Sequence, residues 1–135
     1  MKYTWKLTSF FVFPIIVLLF HLIASGLLNL YIFFPHLDIP FHYTGGFAIA
    51  YASAGILSYL EQEKIIATLN RIVFVILIST LTATATVFWE FMEFIGDQML
   101  HRNIQVSLAN TMQDQFLGIL GRLTWAFILY KRILR

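Results

Sequence analysis

The chain has 135 residues, of which 59% are hydrophobic and 12% charged, with a net charge of +2 and no cysteine. Ordinary soluble domains carry about 25% charged residues, and a chain this short cannot bury so much apolar surface in one water-surrounded core, so lipid is the expected solvent. Disulfides and thiolate metal sites are excluded, and so small a net charge gives no reason to expect nucleic acid as a partner.

The first apolar run covers about residues 9–34 and includes IIVLLFHLIASGLLNLYIFF without a charged residue. Spanning hydrocarbon takes about 20 such residues, so one continuous span is expected. Lys2 and Lys6 ahead of the run, and Ala24-Ser25-Gly26 within it, are ingredients of a signal peptide. The apolar stretch continues well past those small residues and is therefore expected to remain as a span. His21 stands alone in the middle of this run and is read as an interhelical hydrogen-bonding group.

The second run covers about 40–60. Asp38 is placed to cap it, with Pro40 inside the first turn. Gly46, Ala50 and Ala54 form a row of small residues that lets another backbone approach. The run stops at Glu61-Gln62-Glu63-Lys64. The third run covers about 71–98; its first half is apolar, and its second half ends in TVFWEFMEFIGDQ. His101 to Asn110 is polar enough for an interfacial loop or short helix. The fourth run covers about 111–130, with Thr111-Met112-Gln113-Asp114 reading as a capping box at its start. The expected fold is all-α: one transmembrane domain, residues 1–135, built as a four-helix bundle.

With the N-terminus inside, the cytoplasmic side receives Lys2, Lys6, Lys64, Arg71, Lys131, Arg132 and Arg135, while the outer side receives only Arg102. That asymmetry places both ends in the cytoplasm. Tyr3, Trp5 and Tyr130 suit an interfacial belt on the same side. The expected location is the bacterial inner membrane, crossed several times.

The chemistry gathers at the other face. Asp38, Glu90, Glu93, Asp97 and Asp114 all fall near the outer ends of the spans, with His36, His42 and His101 near them. Adjacent spans run in opposite directions, so the start of the second, the end of the third and the start of the fourth share one membrane depth. Glu90, Glu93 and Asp97 lie on one face of the third helix. Inward, that face continues as Thr86, Ala83 and Ser79, a polar or small stripe that must face the bundle interior or water. His42 stands beside Gly45-Gly46. His36 and His101 read as solvated loop residues. The Asp114 face continues through Gly118, Gly121 and Trp125. Arg122, two turns deeper, pairs with a buried acid, holds an anion, or snorkels toward the cytoplasm.

The ordered set Asp38…His42…Gly45-Gly46, Trp89-Glu90…Glu93 and Asn110-Thr111…Asp114…Gly118…Gly121 resembles the VanZ-like small membrane proteins and related bacterial inner-membrane proteins of unknown function. The resemblance covers roughly residues 38–121. It implies a fold and a site location more than an activity, although the family's namesake is associated with glycopeptide-antibiotic resistance. At the position of Asn110 that family often carries an aspartate, so this chain lacks a charge there.

Two functional readings follow from the residues, and a third competes with them. The first is a membrane enzyme with a divalent metal (Mg²⁺, Mn²⁺, Fe²⁺ or Zn²⁺) held by His42, Glu90, Glu93 and Asp114, with Glu90 and Glu93 also catalytic. Asp38, Asp97, Asn110 and Arg122 would support it, and lipid or lipid-linked head groups would be the substrates. The second is a proton- or cation-linked transporter subunit, working through Glu90 and Glu93 in a homo-oligomer. In the third, an accessory protein, the polar cluster only holds the helices together.

Overall fold

The structure, a computed structural model, describes residues 6–100, 105 and 107–133. Lys2, Tyr3, Trp5, His101, Arg102 and Arg135, given places at the membrane faces above, lie outside the described residues. Among the described residues all regular structure is helical.

The first apolar run is not one helix. A 3-10 turn, Leu7–Phe11, leads into α1 (Val12–Leu22), which widens into a π turn at Ile23–Leu27. Asn29 then adopts a left-handed backbone with φ 49°, and a one-turn helix, α2 (Leu30–Phe33), follows. Gly26 weakens the helix here, and asparagine is one of the few residues that tolerates the left-handed conformation. The break turns Tyr31 back, so that its hydroxyl lies 2.9 Å from His21 Nδ1.

A second 3-10 turn, Pro35–Leu37, runs straight into α3 (Asp38–Gln62). Asp38 is therefore not the cap expected of it. Its backbone is already helical, at φ −61° and ψ −43°, and its carboxylate turns to His42 instead. Helix α4 (Arg71–Leu100) and helix α5 (Leu108–Ile133) complete the chain. Helix α5 begins three residues before the expected capping box. Ser107 caps it, its hydroxyl accepting the Asn110 N–H at 3.2 Å, and Thr111 and Asp114 lie inside the helix. Ser107→Ala is expected to lower stability by about 1 kcal/mol, the usual worth of such a cap, read as a downward shift in thermal midpoint in detergent.

Helix α3 is the central element and touches α1, α4 and α5. Its small residues explain why. A Cβ on Gly46 would collide with the Gly118 carbonyl, and one on Gly121 with the Tyr43 carbonyl. The α3 and α5 backbones are thus in direct contact through their small-residue faces. Tyr43 Oη and Thr124 Oγ1, 2.7 Å apart, join the same pair of helices. Further along, Ala50, Ala54, Leu57 and Ile78 form a buried core against Phe74, Leu77 and Trp125.

On α4 the buried line runs Ile78, Thr82, Thr86, Glu90, and Ala83 is exposed. The expected stripe through Ala83 is thereby corrected. Contact follows the i, i+4 row, so it rotates around the helix with depth. Outward-facing side chains on α1 and α4 are large and apolar, among them Leu19, Phe20, Ile76, Phe88 and Met92, while His21, Thr82, Glu90 and Asp114 are buried. That is the reverse of a water-soluble protein. Among the described residues, two helical stretches, Leu7–Leu27 and Arg71–Met99, are long and apolar enough to cross a membrane.

Candidate functional site

Four of the helical segments bring ionisable side chains to one end of the bundle. Helix α1 contributes His21, the start of α3 contributes Asp38 and His42, α4 contributes Glu90 and Glu93, and α5 contributes Asp114. All six are buried, between 2% and 8% exposed. The antiparallel run of α3, α4 and α5 puts the first turns of α3 and α5 level with the last third of α4.

His42 is the hub. Its Nε2 lies 3.1 Å from Asp38 Oδ1, 3.7 Å from Glu93 Oε1 and 4.0 Å from Asp114 Oδ2. Its Nδ1 lies 3.7 Å from Glu90 Oε1. His21 Nε2 lies 3.2 Å from Glu93 Oε1. Three overlapping triads each place their ligand atoms within 4.8 Å of one another: His21, Asp38 and Glu93; Asp38, His42 and Asp114; His42, Glu90 and Glu93. A six-coordinate ion with bonds of about 2.1 Å holds neighbouring ligands about 3 Å apart and opposite ones about 4 Å apart, which is the same scale.

Amide and indole donors grip the carboxylates from outside. Asn110 Nδ2 donates to Asp114 Oδ2 at 2.6 Å and to Asp38 Oδ2 at 3.5 Å. Gln105 Nε2 donates to Glu90 Oε2 at 3.3 Å, and Trp89 Nε1 donates to Glu93 Oε1 at 2.8 Å. On Asp38, Glu90 and Asp114, then, one oxygen is tethered. The other oxygen of each (Asp38 Oδ1, Glu90 Oε1, Asp114 Oδ1) is buried and accepts no hydrogen bond, and His42 Nε2 is likewise buried without a hydrogen bond. Buried polar atoms left this way are uncommon; two of them, Asp38 Oδ1 and Glu90 Oε1, face the His42 ring at 3.1 and 3.7 Å, while on Asp114 the tethered Oδ2 is the oxygen that lies toward His42.

Other residues singled out in the sequence fall elsewhere. Asp97 stays at the rim, where its Oδ2 accepts the Gln105 N–H at 2.8 Å and so ties down the α4–α5 connection. Asn110 acts as an amide donor between two aspartates. His36 is exposed, as expected. Arg122 does not join the cluster. It lies eight residues beyond Asp114, about 12 Å further along α5, and donates to Ser79 Oγ at 2.7 Å.

Sequence reasoning passed over four residues as parts of this site: His21, Tyr31, Trp89 and Gln105. His21 carried a usable signal, because a lone ionisable residue in an apolar run points inward by default. Trp89 is one turn before Glu93, within reach of it. Tyr31 and Gln105 arrive only through the chain break at Asn29 and the connection after α4.

A family model described as predicted membrane protein (DUF2238) matches residues 1–135, and the chain belongs to that family. The family is one of membrane proteins, and the VanZ-like likeness of the motif order remains a resemblance. No curated protein and no solved structure matches the chain.

Proposed function

We propose that this DUF2238 protein crosses the bacterial inner membrane four times with both ends cytoplasmic. We further propose that its carboxylate–histidine cluster holds a divalent cation used by an enzyme acting on lipid or lipid-linked head groups. One observation carries the reading: four buried carboxylates gather within 4.0 Å of the His42 ring, and buried oxygens of Asp38, Glu90 and Asp114 accept no hydrogen bond. Carboxylates and imidazoles gathered this closely and steadied by amide and indole donors are what a metal centre requires. Without a metal ion, or a proton on His42 or His21, the carboxylates would be desolvated and mutually repelling.

Helices α3 and α5, with 25 and 26 residues, are each about 37 Å or longer at 1.5 Å per residue and can cross the hydrocarbon. Several of their polar residues, His42, Ser53 and Asp114 among them, are buried inside the bundle, which is one reason they need not be as apolar as α1 and α4. The orientation follows from the excess of Lys and Arg at the α3–α4 end and the chain termini. Two imidazoles among carboxylates favour Mn²⁺, Fe²⁺ or Zn²⁺ over Mg²⁺. Such an ion would polarise a phosphoryl oxygen or activate a water.

Access from the bilayer supports a lipid substrate. A cavity of about 650 Å³ lies between α1 and α4, walled by apolar side chains such as Leu18, Ile49 and Phe88. His21, Ser25 and Glu93 line it at the level of the cluster. An acyl or polyprenyl chain fits such walls, with its head group at the cation.

Protein purified without chelator is expected to carry at least about one transition-metal ion per chain. Returning Mn²⁺ or Zn²⁺ to chelator-treated protein should stabilise it by about 2.7 kcal/mol at a concentration 100 times the dissociation constant. His42→Ala should lose both effects. Absence of metal, with thermal stability indifferent to added Mn²⁺ and Zn²⁺, would sink the proposal. The second reading, proton- or cation-linked transport through Glu93, is favoured by the contacts that link His21, Glu93 and His42 from α1 to α3. A pH-dependent flux in proteoliposomes that Glu93→Gln abolishes would identify it.

A further inference from the structure

A second polar site lies at the opposite end of the bundle. Arg122 is level with Ser79, which is itself eight residues, about 12 Å, into α4. Its guanidinium donates to Ser79 Oγ, and among the described residues no carboxylate oxygen lies within 4.0 Å of it. A guanidinium offers five N–H donors, and one hydroxyl accepts a small part of that capacity. A charge at this depth is costly unless an anion meets it.

Arg122 lines a cavity of about 660 Å³ between the start of α4 and the middle of α5. Arg71 and Glu61 line it as well, as do the apolar side chains of Ile72 and Val75 and the indole of Trp125. The Glu61 carboxylate is engaged by the Leu69 N–H at 2.5 Å. The Trp125 indole N–H is buried with no hydrogen bond. The cavity therefore carries two arginines against one carboxylate, one of whose oxygens is taken, and hydrocarbon walls.

We propose that this cavity binds a phosphate-bearing anionic lipid from the leaflet at the α3–α4 end, its phosphate between Arg71 and Arg122 and an acyl chain against Ile72 and Val75. The planar guanidinium matches phosphate geometry. The exposed Lys64 and Arg71 at the same end draw anionic head groups to the surface. A lipid explains both halves of the site, whereas a free anion explains only the charged half.

The test uses full-length, delipidated protein in neutral detergent with chelator present, so that a cation in the carboxylate cluster contributes nothing. Phosphatidic acid and diacylglycerol share their chains and differ in the phosphate. Native mass spectrometry and thermal shift are expected to show phosphatidic acid binding at least about tenfold tighter. Inorganic phosphate should not reproduce its stabilisation, and Arg122→Met should remove most of the preference. Equal binding of the two lipids, equal stabilisation by inorganic phosphate, or an undiminished preference in Arg122→Met would each overturn the proposal. If Arg122→Met fails to fold, Arg71→Gln decides: a weakened preference supports the lipid site, and an unchanged one rejects it.

Discussion

Gly46→Val is expected to prevent assembly of the bundle, with a loss of more than about 3 kcal/mol, beyond the usual range for overpacking. The reason is local and steric. A Cβ at Gly46 would fall on the Gly118 carbonyl, which is backbone and cannot rotate away. Relief requires α3 and α5 to separate, and that separation would also break the Tyr43–Thr124 hydrogen bond and draw His42 away from Asp114. Gly118→Ala should be milder, because its added methyl would meet the Thr86 methyl, a side chain that has to move aside but is not backbone. Gly45→Ala is the control. Nothing lies within 4 Å of a Cβ there, so it should be neutral or slightly stabilising through helix propensity. Thermal unfolding in detergent and elution as a single species read all three. Equal damage from Gly45→Ala and Gly46→Val would show that helix geometry, not the α3–α5 contact, is the sensitive feature.

Glu90→Gln is expected to move stability in opposite directions with and without metal. Asp38, Glu90, Glu93 and Asp114 crowd around His42 at 3.1 to 4.0 Å. Two like charges about 4 Å apart repel by about 4 kcal/mol at an effective dielectric constant of 20. An isosteric neutral amide removes part of that repulsion, so the variant should be more stable than the parent by about 1–2 kcal/mol in chelator. With Mn²⁺ or Zn²⁺ present the order should reverse, because a ligand has gone and affinity should fall at least about 100-fold, the upper end of what losing an outer partner costs. Urea or thermal titrations in the two conditions suffice. A variant that is destabilised in both conditions would instead mean that Glu90 is a structural hydrogen-bonding group, and the metal reading would lose its main support.

The cluster and the arginine cavity share no residue and sit at opposite ends of α4. The lipid chain proposed for the α1–α4 cavity and the lipid phosphate proposed at Arg122 would thus be separable by mutation, one through Glu93 and the other through Arg122.

Much of this was legible from the residues. Apolar run length and sparse charge specify a membrane environment and an all-helical chain, because unpaired backbone groups in lipid leave little alternative. Spacing along α4 puts Glu90 and Glu93 on one face, since side-chain direction repeats every 3.6 residues. Alternating helix direction brings Asp38, His42 and Asp114 to the same level. Tertiary structure decided the rest. Periodicity assigns a face within a helix but not the crossing angle between helices, so the buried row on α4 passed through Thr82 and left Ala83 exposed. It does not specify where an apolar run breaks, so the turn at Asn29 that sends Tyr31 back to His21 emerged only from packing. Nor does it say which polar neighbours meet. The backbone contact at Gly46, Gly118 and Gly121 draws α5 close enough for Asn110 to bridge Asp38 and Asp114, while the length of that helix carries Arg122 away to the other end.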